Sequence, residues 1–399
     1  MNILQINTTD QRGGAAKVAY RLKGGLEKLG HQTSMLVGRK YTTDENIFVL
    51  NDVKSFGQRV RKKLAYYLAN DIDLFSSDKI LQTEAFRKAE LVHCHNLHSY
   101  YFNLHTLKKM AKLKPLVWTF HDMWPITPHC AHSFESGLKN GFWQCPSLEV
   151  FPPIAWHNEG YLERVKRNIY NQTDFTIVTP SRWLKDKVEQ SLLGEKEIHL
   201  IYNGIDAQIF KPYPKEEARK KLNLPFDKKI ILSVVKRGQS NPWKGGNYIN
   251  DSIKALRDRQ DVTFICVGGE IANPQVINIP FIEEEQILAF YYSASDILLH
   301  PAIAETFGLT IAEGMACGLP VISFQTGSIP ELVDHGFNGL LAEYKNGPDL
   351  ISKLKTILNL PSDQLKEFGL NAQNKVRNNF TLEMMVNRYL NLYNQILNR

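Results

Sequence analysis

The chain has 399 residues, of which 43% are hydrophobic and 22% charged, and its formal net charge is +7. These values are typical of a soluble globular protein, and the length favours two domains of about 200 residues over a single core. The sequence contains no low-complexity tract, no run of about 18 apolar residues for a transmembrane helix and no N-terminal signal-peptide pattern. Five widely spaced cysteines predict reduced thiols and, with these exclusions, a cytoplasmic protein.

The first half of the chain alternates short apolar runs with helical stretches, which predicts a parallel α/β sheet. The predicted strands span residues 2–7, 33–37, 91–95, 116–120 and 175–179. The first strand leads into a loop at Gly13 and Gly14 and then into an amphipathic helix that ends near Lys28. Because the glycines lack side chains, their backbone amides can approach a phosphate or a sugar, although a simple turn explains a glycine pair as well. The pair does not form G-x-G-x-x-G, which argues against a nicotinamide dehydrogenase.

Residues 58–68 form a basic segment with interleaved apolar and aromatic side chains. Between Lys54 and Lys114 the sequence has twelve Lys or Arg residues against five Asp or Glu. Such a segment can lie on an anionic membrane surface or attract a phosphate-bearing acceptor, and a solvated helix face with extended lysines explains it equally well. Nucleic acid is a weaker interpretation because no base-reading motif accompanies the segment, so we expect no nucleic-acid partner.

Histidines and cysteines cluster in the middle of the first half. The cluster consists of His93, His95, His98, His129, Cys130, His132 and Cys145. Side chains alternate along a strand, so His93 and His95 share a face and form a plausible pair of metal ligands. The cysteines lack the paired C-x2-C spacing of a zinc site, so we favour acceptor-binding or structural histidines and expect no metal.

The second half repeats the α/β pattern after a linker at residues 203–206. Its predicted strands span residues 229–235, 263–267, 296–299 and 320–324, and an amphipathic helix begins at Leu382. Two Rossmann-like domains follow, the first at residues 1–205 and the second at 206–380. In such sheets ligands bind beyond the carboxyl ends of the strands.

Glu305 and Glu313 lie eight residues apart, where a strand that ends near His300 meets a helix opened by Gly308. The first-turn amides of that helix, at residues 307–310, have no partner within the helix and carry positive polarity, which suits a phosphate. One carboxylate can then bind hydroxyls on one side of a diphosphate and the other those on its far side. A nucleotide diphosphate sugar requires this layout, whereas two isolated glutamates at a helix end are ordinary surface charges.

The segment from Pro301 to Ala316 resembles the E-x7-E motif of the retaining GT-B glycosyltransferases of family GT4. The stretch that follows, with Gly318-Leu-Pro320, Gly327-Ser-Ile-Pro330-Glu331 and Gly336-Phe-Asn338-Gly339, is similar to the family's continuation. The resemblance covers essentially the whole chain and is strongest from about residue 200 to about residue 345. It implies a GT-B fold, with two Rossmann-like domains facing a central cleft and a C-terminal helix, residues 381–399, that crosses back onto the first domain.

This resemblance implies that two cations clamp the donor diphosphate and offset the charge of the departing group. Lys244, which precedes Gly245, matches the family's Lys, and Arg237 is a looser match to its Arg, so that Lys236 can serve instead. His121, which follows the strand at 116–120 and precedes Asp122, matches the family's His-Asp pair, whose His contacts the transferred sugar. As a neutral imidazole, His121 is expected to donate to a sugar hydroxyl or to shape the leaving-group site.

The resemblance also implies the remaining site residues. Catalytic residues are His121, Glu305, Arg237 and Lys244, and donor-binding residues are Gly13, Gly14, Phe281, Thr306, Phe307, Gly308, Leu309, Thr310 and Glu313. Expected acceptor contacts are His95, His98 and Asp122, and residues 124–146 are similar to a GT4 subgroup linked to bacterial surface polysaccharides. The nucleotide base is expected beside Phe281, where backbone groups normally bind it, so residue types leave uracil and guanine open.

We therefore expect a retaining glycosyltransferase that moves a hexose from a nucleotide diphosphate sugar to a hydroxyl of a glycan, lipid-linked glycan or glycoconjugate, in bacterial polysaccharide or glycoconjugate assembly. No metal or other cofactor is expected, and residues 58–68 give a further expectation of peripheral contact with the inner membrane face. A GT-B phosphorylase or epimerase and a non-catalytic sugar-nucleotide-binding protein stay as alternatives. The joint occurrence of Glu305, Glu313, Lys244 and His121 favours the enzyme, because a binding protein does not need all four.

Overall fold

The computed structural model describes residues 1–50, 56–74, 76–235 and 242–399. The chain divides into two compact units, the first formed by Met1–Tyr202 with Met385–Arg399 and the second by Asn203–Met384. Each unit has its own parallel sheet.

The sheet of the first unit has, within the described residues, seven parallel strands in the order β3-β2-β1-β4-β5-β8-β9. The strands are β1 (Asn2–Thr9), β2 (Gln32–Arg39), β3 (Ile47–Val49), β4 (Leu91–Cys94), β5 (Leu116–Thr119), β8 (Thr176–Thr179) and β9 (Ile198–Leu200). A separate antiparallel hairpin consists of β6 (Leu138–Lys139) and β7 (Phe142–Trp143). Strand order reverses beside β1, which pairs with both β2 and β4, and this is where doubly wound sheets bind ligands.

Helices cover the sheet of the first unit. They are α1 (Gly14–Lys28), α2 (Phe56–Tyr67), α3 (Glu84–Lys88), α4 (Thr106–Ala111), α5 (Glu159–Asn171) and α6 (Arg182–Glu189). All of those named here except α2, whose apolar side chains are largely exposed, bury apolar residues in the core of the unit. In α1 the buried residues Val18, Leu22 and Leu26 recur at helical spacing, as an amphipathic helix requires. Short 3-10 helices lie at Asp78–Gln82 and Trp124–Ile126.

The sheet of the second unit has, in the described part, six parallel strands in the order β12-β11-β10-β13-β14-β15. These strands are β10 (Lys229–Val234), β11 (Val262–Val267), β12 (Val276–Ile279), β13 (Ile297–His300), β14 (Val321–Phe324) and β15 (Gly339–Ala342). Its helices are α7 (Lys215–Lys221), α8 (Gly246–Ala255), α9 (Glu285–Ala294), α10 (Leu309–Ala316), α11 (Ile329–Leu332), α12 (Gly347–Leu358) and α13 (Ser362–Asn379). Strand order reverses here beside β10, which lies between β11 and β13.

The final helix, α14 (Leu382–Leu397), begins in the second unit, and its residues from Met385 onward belong to the first. Tyr389 and Tyr393 on this helix are fully buried. The expectation that a C-terminal amphipathic helix returns to the first domain is therefore confirmed.

All nine strands expected from the sequence are present, with ends that differ by one or two residues. Besides the two short strands of the hairpin β6–β7, four described strands were not expected, namely β3, β9, β12 and β15. These four strands are the two edges of each sheet. Edge strands are short and partly exposed, so their sequences lack the continuous apolar run of a central parallel strand.

The expectation of five reduced thiols is wrong for one pair of cysteines. Cys130 and Cys145 form a disulfide bond with their Cα atoms 5.8 Å apart, and Cys94, Cys266 and Cys317 are free and buried. The hairpin β6–β7 lies between the two bonded cysteines and returns the chain to Cys130, whose amide nitrogen donates to Sγ of Cys145 at 3.2 Å. Sequence spacing alone carries no sign of this return. Within the described residues, no helix combines the length and the apolarity needed to cross a membrane.

Candidate functional site

Two loops of the second unit are joined beyond the end of β13. The amide nitrogen of Ile303 donates to the carbonyl oxygen of Trp243 at 2.9 Å. Gly245 has a φ of 71° and lies against the carbonyl group of Pro301 so closely that a side chain would not fit. These contacts place Lys244, between Trp243 and Gly245, next to the segment that carries Glu305.

Glu305 is the centre of a charged cluster that we call the carboxylate cluster, formed by Glu305, Lys244 and His300. Oε1 of Glu305 forms an ion pair with Nζ of Lys244 and accepts a hydrogen bond from Nε2 of His300 at 3.2 Å. The Glu305 side chain is only 12% exposed. Burial acts to raise the pKa of Glu305, but the charge of Lys244 and the hydrogen bond from His300 outweigh it and lower this pKa to about 2. Glu305 is therefore an anion at neutral pH.

His300 contributes a neutral donor to this cluster. Its side chain is 1% exposed, and burial lowers the pKa of His300 although Glu305 acts in the opposite direction. A neutral imidazole carries one proton, and the contact with the anionic Glu305 places it on Nε2. The backbone of the same segment is held by the amide of Ser328, which donates to the carbonyl oxygen of Glu305 at 3.2 Å.

The helix α10 begins directly after this segment. Its N-cap is Gly308, with a φ of 91°, and a Cβ atom there would lie 3.2 Å from Cδ1 of Leu332. The first helical hydrogen bond runs from the amide of Ala312 to the carbonyl oxygen of Gly308, so the first-turn amides are those of residues 309–311. Glu313 follows in the second turn and is 4% exposed. The helix thus begins directly after Gly308, as predicted, and its first-turn amides lie at residues 309–311 instead of the predicted 307–310.

The side chains expected to bind the donor differ in their accessibility. Phe307 is 3% exposed and packs edge-on against Phe380, with ring centroids 5.8 Å apart, so its side chain belongs to the core. The partly exposed expected residues around α10 are Thr306, Leu309 and Thr310. Phe281 is 49% exposed in the loop between β12 and α9. Arg237 and Lys236, the candidates for the second diphosphate cation, lie outside the described residues.

The first unit contains a second group of site residues, a histidine network formed by Gln5, His93, His95, Thr119, His121, Tyr389 and Tyr393. Nδ1 of His95 contacts Nε2 of His121 at 2.9 Å, and Nε2 of His95 contacts Oε1 of Gln5 at 3.1 Å. Burial lowers the pKa of His95 well below its usual value and that of His121 to about 4, so both rings are neutral at pH 7.

The direction of these hydrogen bonds follows from proton counting. Oε1 of Gln5 can only accept, which places the single proton of neutral His95 on Nε2. Nδ1 of His95 then accepts from the Nε2–H of His121. With the Gln5 amide in this orientation, Nδ1 of His121 carries a lone pair and accepts.

The other half of the network is structural. Nε2 of His93 contacts Oγ1 of Thr119 at 2.7 Å, Thr119 contacts the hydroxyl of Tyr389 at 2.8 Å, and the hydroxyl of Tyr393 contacts Nδ1 of His93 at 2.7 Å. His93 has no exposed surface, and burial lowers its pKa well below the usual value. Both ring nitrogens of His93 are used within the protein, so this residue holds α14 on the sheet.

Asp122 and His98 form a pair beside the network. Nε2 of His98 lies 2.9 Å from Oδ2 of Asp122, and Oδ1 of Asp122 accepts from the amide of Trp124 at 2.9 Å. Burial acts to raise the pKa of Asp122, but the charge and hydrogen bond of His98 lower it. The fully buried Lys166 donates to the carbonyl oxygens of Trp124 and Thr127, which fixes the chain that follows.

Gly13 and Gly14 lie at the start of α1. Gly13 is its N-cap with a φ of 110°, and both glycines are exposed. Adding a Cβ atom to Gly13 would meet no atom within 4 Å, so conformation rather than space selects glycine there. Among the described residues, no group of three or more His, Cys, Asp or Glu side chains is arranged to hold a metal ion.

Several polar partners of these groups were missed from the sequence. They are His300 in the carboxylate cluster and Gln5, Thr119, Tyr389 and Tyr393 in the histidine network. The sequence does indicate a role for His300, because a histidine at the end of a buried strand needs a polar partner. The tyrosines of α14 have none, because they lie about 300 residues from His93 in the sequence and read as ordinary apolar positions of a helix.

Both halves of the chain match family models of glycosyltransferases. Residues 12–209 match the family model described as Glycosyltransferase Family 4, and residues 214–375 match the one described as Glycosyl transferases group 1. A putative colanic acid biosynthesis glycosyl transferase of Escherichia coli strain K12, WcaC, is 25% identical over 414 residues, which cover 98% of this chain and 100% of that protein.

Solved structures give the fold. Sucrose-phosphate synthase from Thermosynechococcus elongatus aligns with a TM-score of 0.73 at 18% identity, over 99% of each chain. The Anabaena protein HepE in complex with UDP and glucose aligns with a TM-score of 0.69 at 18% identity, again over 99% of each chain. The chain therefore belongs to glycosyltransferase family 4 and is a glycosyltransferase of the GT-B fold.

Proposed function

We propose that this glycosyltransferase moves a hexose from a nucleotide diphosphate sugar to a hydroxyl group of a glycan or lipid-linked glycan, with retention of the anomeric configuration. The observation that carries the proposal is the carboxylate cluster at the start of α10, where an anionic Glu305, Lys244 and a neutral His300 meet. The structure of HepE with UDP and glucose and the naming of WcaC for colanic acid biosynthesis support the donor class and the use in polysaccharide assembly.

In the proposed reaction the second unit binds the donor. The first-turn amides of α10 and the ammonium group of Lys244 bind the diphosphate, and Glu313 binds the ribose hydroxyls. Glu305, ionised and held by His300, accepts hydrogen bonds from hydroxyls of the hexose. Lys244 is then shared between Glu305 and the diphosphate, so it is positioned before the donor arrives.

Transfer of the hexose is promoted by stabilising the negative charge that develops on the departing diphosphate. The bond between the anomeric carbon and the phosphate oxygen breaks, and the acceptor oxygen forms its bond to the same face of that carbon. The acceptor proton passes to the departing phosphate oxygen, whose charge Lys244 and the helix amides offset. No metal and no cofactor beyond the donor take part in this proposal. In the first unit, His121 accepts a hydrogen bond from a substrate hydroxyl through Nδ1.

The first test compares donors and then one substitution. UDP-, GDP- and ADP-sugars are screened by thermal shift against the purified protein, and the donor that stabilises it most is assayed for sugar release and transfer. We expect Glu305→Gln to lower turnover by about 100-fold or more while nucleotide affinity stays within a few-fold, because the contact is to the hexose.

A matched control is Glu367→Gln, the same change at an exposed position of α13. The control should keep the turnover of the unchanged protein. Equal losses of turnover and nucleotide affinity in Glu305→Gln would contradict the assigned role. Sugar release that depends on added phosphate would instead identify a phosphorylase.

A further inference from the structure

The imidazole ring of His98 lies at the centre of a group of side chains in the first unit that we call the His98 cluster. Nδ1 of His98 lies 2.8 Å from Oγ of Ser99, and Nε2 lies 2.9 Å from Oδ2 of Asp122. The rings of Trp124 and Phe151 pack edge-on against the imidazole, with centroids 5.8 Å and 5.5 Å from it. These four residues and His98 form the cluster. Because both nitrogens of His98 have partners and its side chain is 8% exposed, this ring holds its neighbours in place.

Three members of the His98 cluster reach the surface. Phe151 is 43% exposed, Ser99 is partly exposed, and the Asp122 side chain is 13% exposed. Trp124 is buried, and its amide donates to Oδ1 of Asp122 at 2.9 Å, which fixes the carboxylate. An aromatic ring, a hydroxyl and a carboxylate are therefore accessible around one buried imidazole.

The backbone at Ser99 has a conformation that favours glycine. Ser99 and Tyr100 have φ angles of 81° and 68°, in the left-handed region that residues with a side chain rarely adopt. The turn is held by the carbonyl oxygen of Asn96, which accepts from the hydroxyl groups of Tyr101 at 2.6 Å and Thr8 at 3.2 Å. A glycine would adopt the angles of Ser99 more easily. Such strain occurs mainly at functional sites, so we infer that the hydroxyl of Ser99 has a use there.

Ser99 and Asp122 can each take a further hydrogen bond. A hydroxyl has one proton and two lone pairs, so the contact of Ser99 with Nδ1 of His98 uses only part of its capacity. A carboxylate has about four acceptor positions, and the bonds from His98 and from the amide of Trp124 use two of those on Asp122. A ligand with several hydroxyl groups can therefore donate to Asp122 and either donate to Ser99 or accept from it.

We propose that the His98 cluster binds a sugar ring of the acceptor, with Phe151 against the C–H face of the ring and Ser99 and Asp122 on its hydroxyl groups. A sugar ring has apolar C–H groups on its faces and hydroxyls along its edge, so an aromatic side chain beside hydrogen-bonding groups binds both. A phosphate is a poorer match, because the carboxylate of Asp122 repels it. The inference rests on the proposed function for the use of this sugar as the acceptor.

Binding is tested by saturation-transfer difference NMR on the full chain, with the methyl glycosides of glucose, galactose, mannose, fucose and N-acetylglucosamine as probes. We expect magnetisation transfer to at least one glycoside, mainly to the C–H protons of its ring, because these face Phe151. Glycerol, which has hydroxyls but no ring, should receive none. Transfer to none of the glycosides would overturn the proposal.

Ser99→Gly separates a ligand contact from a structural role. The variant should weaken glycoside affinity by about three- to tenfold, because one hydrogen bond is lost. Its free energy of unfolding should stay the same or rise, because glycine fits a φ of 81°. Ser352→Gly, the same change at an exposed position of α12, should instead lower the free energy of unfolding and keep the affinity. A Ser99→Gly protein that is less stable and binds glycosides as before would contradict the assigned role.

Two substitutions of Phe151 test the aromatic contact. Phe151→Leu keeps an apolar side chain without the ring and should weaken glycoside affinity by about three- to tenfold, whereas Phe151→Tyr should keep it within about twofold. Phe226→Leu changes a phenylalanine that is 60% exposed in the second unit, and it should leave the affinity unchanged. Equal affinities of Phe151→Leu and the unchanged protein would show that the glycoside binds elsewhere and would overturn the proposal.

Hydrolysis of the donor, measured in separate samples without a glycoside, tests the proposed function independently. Glycoside binding that depends on Ser99 and Phe151, in a protein that does not hydrolyse any donor, would support the sugar site and contradict the proposed reaction. Donor hydrolysis by a protein that binds no glycoside would support the reaction and overturn the sugar site.

Discussion

In the second unit the largely covered Glu305 is held as an anion against Lys244, whereas in the first unit the buried His93 and His95 and the partly buried His121 are neutral rings. Burial is expensive for a charge and acceptable for a hydrogen-bonded neutral group. The carboxylate cluster therefore supplies charge, and the histidine network supplies a fixed hydrogen-bond direction. Substitutions that change charge should have the largest effect in the first of these groups, and substitutions that reverse a hydrogen bond should act mainly in the other.

The largest effect is expected for Lys244→Met. This change removes the ammonium group that we propose to offset the charge of the departing diphosphate. It should lower the transfer rate by about 10²–10³-fold. It should also raise the pKa of Glu305, because burial would then act with less opposition. The rate is measured with saturating donor, and Lys353→Met is the control, with 30% side-chain exposure against 32% for Lys244. Equal transfer rates in the two variants would contradict the proposed role of Lys244 in the reaction.

Lowering the pH should decrease the free energy of unfolding, because the rings of the histidine network are neutral in the folded protein. The pKa values of His93, His95 and His121 are lower in the folded protein than the usual 6.5, so the unfolded chain binds protons first. The contribution of each neutral ring to the free energy of unfolding is therefore fully present above about pH 6.5. Below that pH the free energy of unfolding falls by about 1.4 kcal/mol per pH unit for each ring. For His121 the loss ends near its folded pKa of about 4.

Urea titrations at several pH values between about 7.5 and about 5 measure this dependence. Glu305 adds a separate loss only at lower pH, between its usual pKa of 4.5 and its folded value of about 2. His121→Gln should make the slope above pH 5 shallower, because one titrating group is gone. An unfolding free energy that is constant between pH 7 and pH 5 would show that the rings are not buried as neutral groups.

Reversal of one hydrogen bond gives a smaller effect on turnover. Gln5→Glu places an anion beside Nε2 of His95, which favours the doubly protonated ring and turns Nδ1 of His95 into a donor toward His121. The tautomer of His121 should then change, and turnover should fall by about tenfold, the equivalent of one hydrogen bond.

Long-range proton–nitrogen NMR correlations of the imidazole rings report both tautomers directly. The unchanged protein should show a proton on Nε2 of both His95 and His121. Gln190→Glu, the same change at an exposed position, is the control and should leave the spectrum of these rings and the turnover as they are. Protons on the Nδ1 atoms of the unchanged protein would contradict the direction derived from Gln5.

The smallest expected effect concerns stability alone. Tyr393→Phe removes the hydroxyl that contacts Nδ1 of His93 at 2.7 Å and should lower the free energy of unfolding by about 1–3 kcal/mol, because a buried nitrogen loses its partner. Tyr248→Phe, whose hydroxyl forms a 3.3 Å bond at the surface, should change it by about 0.5 kcal/mol or less. Chemical denaturation measures both. Similar values for the two variants would mean that His93 finds another partner.

Sequence alone predicted the central strands, both Rossmann-like units and the placement of Glu305, Gly308 and Glu313 around one helix start. These features depend on short-range patterns, such as a continuous apolar run or a glycine before a helix. The edge strands were missed because partial exposure weakens that pattern. The ion pair between Lys244 and Glu305 was not predicted either, since both residues were assigned separately to the donor.

Long-range pairings account for most of the rest. The disulfide between Cys130 and Cys145 and the contacts of Tyr389 and Tyr393 with the histidine network depend on which segments the fold brings together. The direction of the bond between His95 and His121 depends further on Gln5, an amide in the first strand. Local composition carries no information about such partners, so the sequence favoured acceptor-binding or structural histidines over a metal site without indicating which residues they pair with.

The route of α14 has a consequence for how the protein is made. Residues 385–397 supply Tyr389 and Tyr393 to the interior of the first unit, yet the ribosome produces them only after the whole second unit. Until then His93 and Thr119 lack their buried partners, and the surface that α14 covers is open to water. The N-terminal sheet should therefore emerge as an incomplete intermediate that other proteins can bind, and a stop codon before residue 385 should yield a first unit prone to aggregation.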